Sequence, residues 1–226
     1  MVRQGNKVFF LRLEKRPQPL EDRPLPAEIE MVPWAGGKAR VSLADGPQLL
    51  NDLKRVIRTV KPDLIQAGPV QTCAFLTALT GFHPQVTMSW GYDLLHDVNR
   101  GRIWAWATRY TLRRSDAFIG DCETIRQKAI SYGMAPDRII AFPWGVDLQH
   151  FHPEGPSLRE RRGWGKECFV LLSARNWEPI YGVEMIARAF EKLAFRYPEL
   201  RLIMLGNGSQ APLIRKILGD RTLIER

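Results

Sequence analysis

The chain predicts an α/β fold built on parallel sheets with crossover helices, and three observations carry that expectation. Short apolar runs alternate with longer segments of helical periodicity through most of the 226 residues. Gly, Pro and Asp punctuate the changeovers. A polar, Gly- and Pro-containing stretch after Phe151 interrupts the series, which then restarts, so a second unit follows the first.

The elements follow in order. Lys7 to Leu13 and Ile29 to Trp34 read as strands, and Pro47 to Val60 as an amphipathic helix opened by a proline. Lys61 and Pro62 introduce a strand over Asp63 to Gln66. Val70 to Thr80 then reads as a helix, Gln85 to Trp90 as a strand and Arg100 to Arg114 as a helix. Ala117, Phe118 and Ile119 form a buried strand ending at Gly120; Asp121 is placed to cap a helix from Glu123 to Tyr132, which Gly133 closes. Arg138 to Phe142 is a further strand, stopped by Pro143. Gly145 and Asp147 suit a turn with unusual backbone angles, with Phe151 as an anchor. Beyond the interruption come a strand over Phe169 to Ser173, a helix over Val183 to Phe195, a strand over Leu200 to Leu205 and a helix over Pro212 to Leu218. These boundaries give a first domain over 1–147, a link over 148–166 and part of a second domain over 167–226.

Composition bounds the function classes. With 45% hydrophobic and 25% charged residues the chain can bury a substantial core. No apolar run is long enough to span a bilayer, and the MVRQGNKVFF start lacks the apolar stretch and cleavage site of a signal peptide, so the expected location is the cytoplasm. Cys73, Cys122 and Cys168 are odd in number and scattered, the pattern of buried thiols rather than of disulfides or a zinc site. His83, His96, His150 and His152 show no third ligand in register, and no metal is assigned. The net charge of +9 favours anionic partners: nucleotide phosphates, an anionic membrane surface or nucleic acid. Nucleic acid ranks last, because no finger spacing, RNP pattern or dense basic block is present.

Four stretches stand out chemically. Arg175 follows the strand Phe169 to Ser173, where a guanidinium can pair two oxygens of a diphosphate; taken alone it reads as a surface arginine. Gly206, Asn207, Gly208 and Ala211 satisfy G-x-G-x-x-A after a strand, either a dinucleotide fingerprint or a tight strand-to-helix turn. In Ser89 to Leu95, Gly91 permits close backbone approach, Trp90 is a sugar platform or an ordinary core residue, and Asp93 orients an acceptor hydroxyl or caps a helix. In Gly101 to Asp116, Trp104, Trp106 and Tyr110 beside Arg102, Arg109, Arg113 and Arg114 fit a basic amphipathic helix at a membrane, while Ile103, Ala107 and Tyr110 fit a core-facing stripe, the favoured reading.

The run Pro143, Gly145, Val146, Asp147, Phe151, Pro153, preceded by the strand and Gly-closed helix from Ser115, resembles the retaining glycosyltransferases of family 4. The resemblance extends from about Lys7 to Gly219. It implies the GT-B fold of two Rossmann-like domains, the first on the acceptor side and the second, here partial, on the donor side. It implies sugar transfer from a nucleotide-diphosphate sugar, with retention, to a glycan, lipid-linked or small-molecule hydroxyl acceptor, without a cofactor or metal. Carried over residue by residue, it makes Arg175 the donor-phosphate arginine, Gly206 and Gly208 the lining of the donor pocket, Trp90 and Gly91 the sugar-facing loop, and Asp93 a catalytic-site carboxylate. The family's lysine before glycine is replaced here by Tyr181 before Gly182, which keeps a hydrogen-bond donor and loses a charge. Against the family pattern, an N-terminal strand with its Gly-rich loop and the paired glutamates of the second domain are expected to be missing. A non-catalytic or membrane-binding fragment is therefore the alternative; an epimerase and an NAD-dependent oxidoreductase rank lower.

Overall fold

A computed structural model of the protein describes residues 4–14, 26–155, 157–219 and 223–225. The chain divides into two compact units, Met1–Val146 and Asp147–Arg226. Each is described by itself.

The first unit opens with β1 (Val8–Phe10) and β2 (Ile29–Met31), shorter than the sequence predicts and paired in parallel as a two-stranded sheet of their own. Helix α1 (Gly46–Val60) carries Pro47 in its first turn and buries Leu49, Leu53 and Val56, the i, i+4, i+7 spacing of a single helical stripe. It ends at Lys61, whose left-handed backbone (φ 50°) turns the chain into Pro62. The main sheet is all parallel in the order β3-β4-β5-β6: β3 (Ile65–Ala67), β4 (Gln85–Met88), β5 (Ala117–Gly120) and β6 (Ile139–Ala141). Between β3 and β4 the expected single helix is two pieces, a π-helical turn over Val70–Ala74 and then α2 (Phe75–Thr80). Between β4 and β5 lie α3 (Tyr92–Leu95) and α4 (Arg102–Arg114), and between β5 and β6 lies α5 (Glu123–Ser131). Val70, Leu94, Leu112, Phe118, Ile125, Ala129 and Met134 pack into one buried cluster that joins β5 to α3, α4 and α5. Each of the larger side chains, Ala129 excepted, contributes about 1.5–3 kcal/mol when fully removed from water.

Several sequence expectations change here. The N-cap of α5 is Cys122 rather than Asp121, no side chain caps the helix, and Asp121 Oδ1 is buried without a partner. Cys122 is exposed, Cys73 half-buried and only Cys168 buried, so the three are not a uniform set of interior thiols. Burial raises the pKa of the Cys73 thiol. Gly145 has no positive φ, Phe151 is 63% exposed with its ring edge-on to neighbouring His150, and the turn is made by Asp147, whose carboxylate accepts the amides of Gln149 and His150.

In the second unit, α6 (Leu158–Arg161) falls within the expected link, where Arg159 donates to the carbonyls of Gly165 and Cys168. The sheet has the parallel order β7-β8-β9: β7 (Phe169–Ala174), β8 (Leu200–Leu205) and β9 (Leu223–Glu225). Helices α7 (Val183–Ala194) and α8 (Ala211–Leu218) bury Val183, Ala187, Phe190, Ala211, Ile214 and Leu218 against Leu202 and Met204. Both crossover helices thus cover one face of the sheet. Alternation sends Leu172 to the other face, where it is 63% exposed.

Candidate functional site

Parallel strands present their carboxyl ends to the loops that lead into crossover helices, which is where α/β sheets bind ligands. In the first unit the loop after β4 carries Ser89, Trp90, Gly91 and Asp93, all singled out by the sequence except Ser89. Asp93 is 2% exposed. Its Oδ2 accepts the Val70 amide at 2.9 Å, and its Oδ1 accepts the Ser89 hydroxyl at 2.6 Å and the amides of Trp90 and Leu94 at 3.1 Å. Both oxygens are therefore committed to the protein, and the geometry makes Asp93 the tie between the loops after β3 and β4. Gly91 adopts φ 86°, a conformation glycine reaches without strain, and its amide donates to Ser89 Oγ. Trp90 is not a core residue: it is 58% exposed, and its Nε1 would lie 3.0 Å from a Cβ at Gly68. The indole thus rests against the glycine that follows β3. Tyr92, 46% exposed, stacks on His96 at 4.4 Å.

Beneath this loop runs a polar seam that sequence periodicity did not reveal. Gln85, Thr87 and Ser89 on β4 and the residue after it are fully buried. Thr87 and Ser115 share a hydroxyl contact of 2.6 Å, and Gln71 donates to the Asp93 carbonyl and to Thr108 Oγ1, both at 2.9 Å. On α4 the hydroxyls of Thr108 and Thr111 return to the carbonyls of Trp104 and Ala107, which lets threonines occupy the buried stripe. Ile103, expected in the core, is instead 78% exposed and Trp106 54% exposed.

In the second unit Arg175 directly follows β7 and is exposed. Its guanidinium lies 5.6 Å from the ring centroid of Tyr181, the residue that replaces the expected lysine. Among the described residues no carboxylate forms an ion pair with Arg175. Gly206 and Gly208 allow the loop after β8 to lie against the loop after β7. A Cβ at Gly206 would stand 2.7 Å from the Arg175 carbonyl oxygen, and one at Gly208 would stand 2.5 Å from that of Trp177. The two loops are laced by Trp177 N–H to Asn207 O at 3.0 Å and Gln210 N–H to Trp177 O at 2.9 Å. Trp177 is fully buried between them, its Nε1 without a partner and Arg215 over its ring. Glu178 completes the lacing by accepting the Ser209 hydroxyl and, at 2.8 Å, the Ser209 amide; these bonds, the hydroxyl's first, hold its pKa below the ordinary glutamate value. Glu178 was not singled out from sequence. Its available signal was an acidic residue between Arg175 and the serine-bearing turn.

The family model for Glycosyltransferase Family 4 matches residues 1–150. The chain belongs to this family. Its fold is of the GT-B type, a Rossmann-like parallel unit with part of a second, and solved structures agree. Sucrose-phosphate synthase from Thermosynechococcus elongatus superposes with a TM-score of 0.72 at 14% identity, over 99% of this chain and 61% of that one. The Anabaena protein HepE in complex with UDP-glucose superposes with a TM-score of 0.66 at 18% identity, over 88% of this chain and 56% of that one. A D-inositol 3-phosphate glycosyltransferase from Xylanimonas cellulosilytica is 33% identical over 106 residues, 43% of this chain and 25% of that protein. The family 4 chain thus spans between a quarter and three fifths of these relatives. Among its described residues no helix is long and apolar enough to cross a membrane, and no group of His, Cys, Asp and Glu could hold a metal ion.

Proposed function

We propose that this family 4 chain carries the working parts of a glycosyltransferase that moves a sugar from a nucleotide-diphosphate donor to a hydroxyl acceptor with retention at the anomeric carbon. In this reading the first unit serves the acceptor and the second the donor. The bond from the anomeric carbon to the diphosphate breaks, the acceptor oxygen forms the new bond, and the acceptor proton passes to the departing diphosphate. The observation that carries the reading is Arg175: an exposed guanidinium at the carboxyl end of β7, stacked on Tyr181 and with no carboxylate partner among the described residues, suits the charge that develops on a departing diphosphate. Gly206 and Gly208 set the backbone beside it. Trp90 and Gly91 offer an exposed aromatic face and an open backbone to a sugar, and Asp93 acts as a positioning residue that fixes them.

Titration of the chain with UDP, UDP-glucose and NAD tests the reading, with Arg175→Ala as control. Binding of the nucleotide diphosphates, weakened in the variant, supports it, and product analysis by NMR reads the anomeric configuration. NAD binding in preference to UDP overturns it. A second reading, a donor-binding piece without turnover, is favoured by Tyr181, which brings no charge to the phosphates; binding of UDP-glucose without product identifies that case.

A further inference from the structure

Helix α4 turns the wrong residues to the solvent for an ordinary surface helix. Its buried stripe is Ala107, Thr108, Thr111 and Leu112. At about 100° per residue, the remaining arc carries Trp106 near its centre, with Ile103 and Tyr110 on one side and Arg102, Arg109 and Arg113 on the other. Ile103 is 78% exposed and Trp106 54%. Trp106 stacks on Tyr110 at 5.6 Å, and Phe75 meets both edge-on at 5.6 and 5.8 Å, so the aromatic rings form one cluster set at the surface. Arg114 lies 5.5 Å from the Tyr110 ring, and Arg109 lies 5.2 Å from that of Tyr132.

Charge decides what such a face fits. The helix holds four arginines and no acidic residue, and among the described residues none of Arg102, Arg109, Arg113 and Arg114 forms an ion pair. A second copy of this chain would bring four like charges to the same face, on a protein that already carries +9. A partner that satisfies the arginines alone leaves Ile103 and Trp106 in water. An anionic bilayer meets both needs, with lipid phosphates for the guanidinium groups and the headgroup boundary for the aromatic cluster.

We propose that the outer face of α4 docks on an anionic phospholipid surface, with Trp106 and Ile103 in the interface and Arg102, Arg109, Arg113 and Arg114 on the headgroups. The inference is independent of the transferase reading, since it needs no donor or turnover.

Co-sedimentation of the full chain with phosphatidylcholine vesicles containing increasing phosphatidylglycerol tests it. The expected result is binding that grows with the anionic fraction and weakens with salt. Arg102→Gln and Arg109→Gln each lower vesicle affinity about fivefold, and the pair about 25-fold. Trp106→Ala lowers binding with all four charges intact, which separates interfacial insertion from simple attraction. Circular dichroism melts confirm that each variant is folded; should Trp106→Ala unfold the chain, Ile103→Ser, at an exposed position, replaces it. Equal binding to pure phosphatidylcholine, unchanged binding by the double arginine variant, or binding unaffected by loss of the apolar side chain overturns the proposal. So does sizing that shows a dimer dispersed by Trp106→Ala with no vesicle binding.

Discussion

Asp93 Oδ2 and the Val70 amide lie 2.9 Å apart, and this bond holds the loop after β4 to the first turn after β3. The other oxygen of Asp93 is occupied by Ser89, Trp90 and Leu94. An amide in place of the carboxylate would turn an N–H toward one of these donors. Asp93→Asn is therefore expected to cost about 2 kcal/mol of stability, measured by chemical denaturation, and to increase the mobility of Trp90. An unchanged denaturation midpoint would show that the loop is held by other means.

Two glycines in the second unit separate steric from conformational demands. Gly206 combines a φ of 114° with a would-be Cβ 2.7 Å from the Arg175 carbonyl oxygen, whereas Gly182, at φ 64°, has open space where a Cβ would stand. Gly206→Ala is expected to cost about 2–4 kcal/mol and Gly182→Ala about 1 kcal/mol. Equal losses in denaturation would show that the loop carrying Arg175 can retreat.

Arg175 and Tyr181 can be tested as a pair. Arg175→Ala is expected to weaken nucleotide-diphosphate binding by about 10- to 100-fold, the loss of a charge-assisted hydrogen bond. Tyr181→Ala removes the ring beneath the guanidinium and is expected to weaken it about two- to fivefold, while Tyr181→Phe keeps the ring and separates stacking from the hydroxyl. Calorimetric titration with UDP reads all three. If Tyr181→Phe falls as far as Tyr181→Ala, the hydroxyl rather than the ring is the contributing group.

Acid stability has an identifiable contributor in Asp116. Burial acts to raise its pKa, but the Gln85 amide at 2.7 Å and the His83 ring at 2.8 Å, with the charges of His83 and Arg138, outweigh burial and lower it. A carboxyl whose pKa is lowered on folding adds stability above its unfolded pKa, about 3.9, and that stability is lost as the pH falls through the folded value. The Tm is thus expected to drop below about pH 4, and Asp116→Asn to lower the Tm at neutral pH while making that drop shallower. Parallel acid limbs for the two proteins would remove Asp116 from the account.

The strands and helices were legible because their apolar residues recur with the right period. Val183, Ala187 and Phe190, or Leu49, Leu53 and Val56, mark one face without reference to anything distant. Arg175 and the paired glycines were legible by position, since each stands just beyond a strand. What escaped was burial of polar groups. The seam through Gln85, Thr87, Ser89 and Ser115 mixes short-range bonds, such as Gln85 to Thr87 and Ser89 to Asp93, with the Thr87–Ser115 contact between residues 28 apart, and apolar periodicity encodes none of them. On α4 the expected stripe held at Ala107 but not at Ile103: threonines that bond back to their own helix can enter a core, and this left Ile103 to the outside beside Trp106. Asp93 was noticed, but its role changed, because only the folded loops show how many donors converge on it.

The second unit adds strands in one direction, β7 to β8 to β9, with both crossover helices on the same side. A sheet that grows only one way has no reversal, and in doubly wound sheets the crevice opens where the strand order turns back. Any strand laid along the free side of β7 would create that reversal immediately beside Arg175. Arg175 thus stands at the strand edge where such a crevice would open, and its form would depend on what pairs with β7 as well as on the loop that carries the charge.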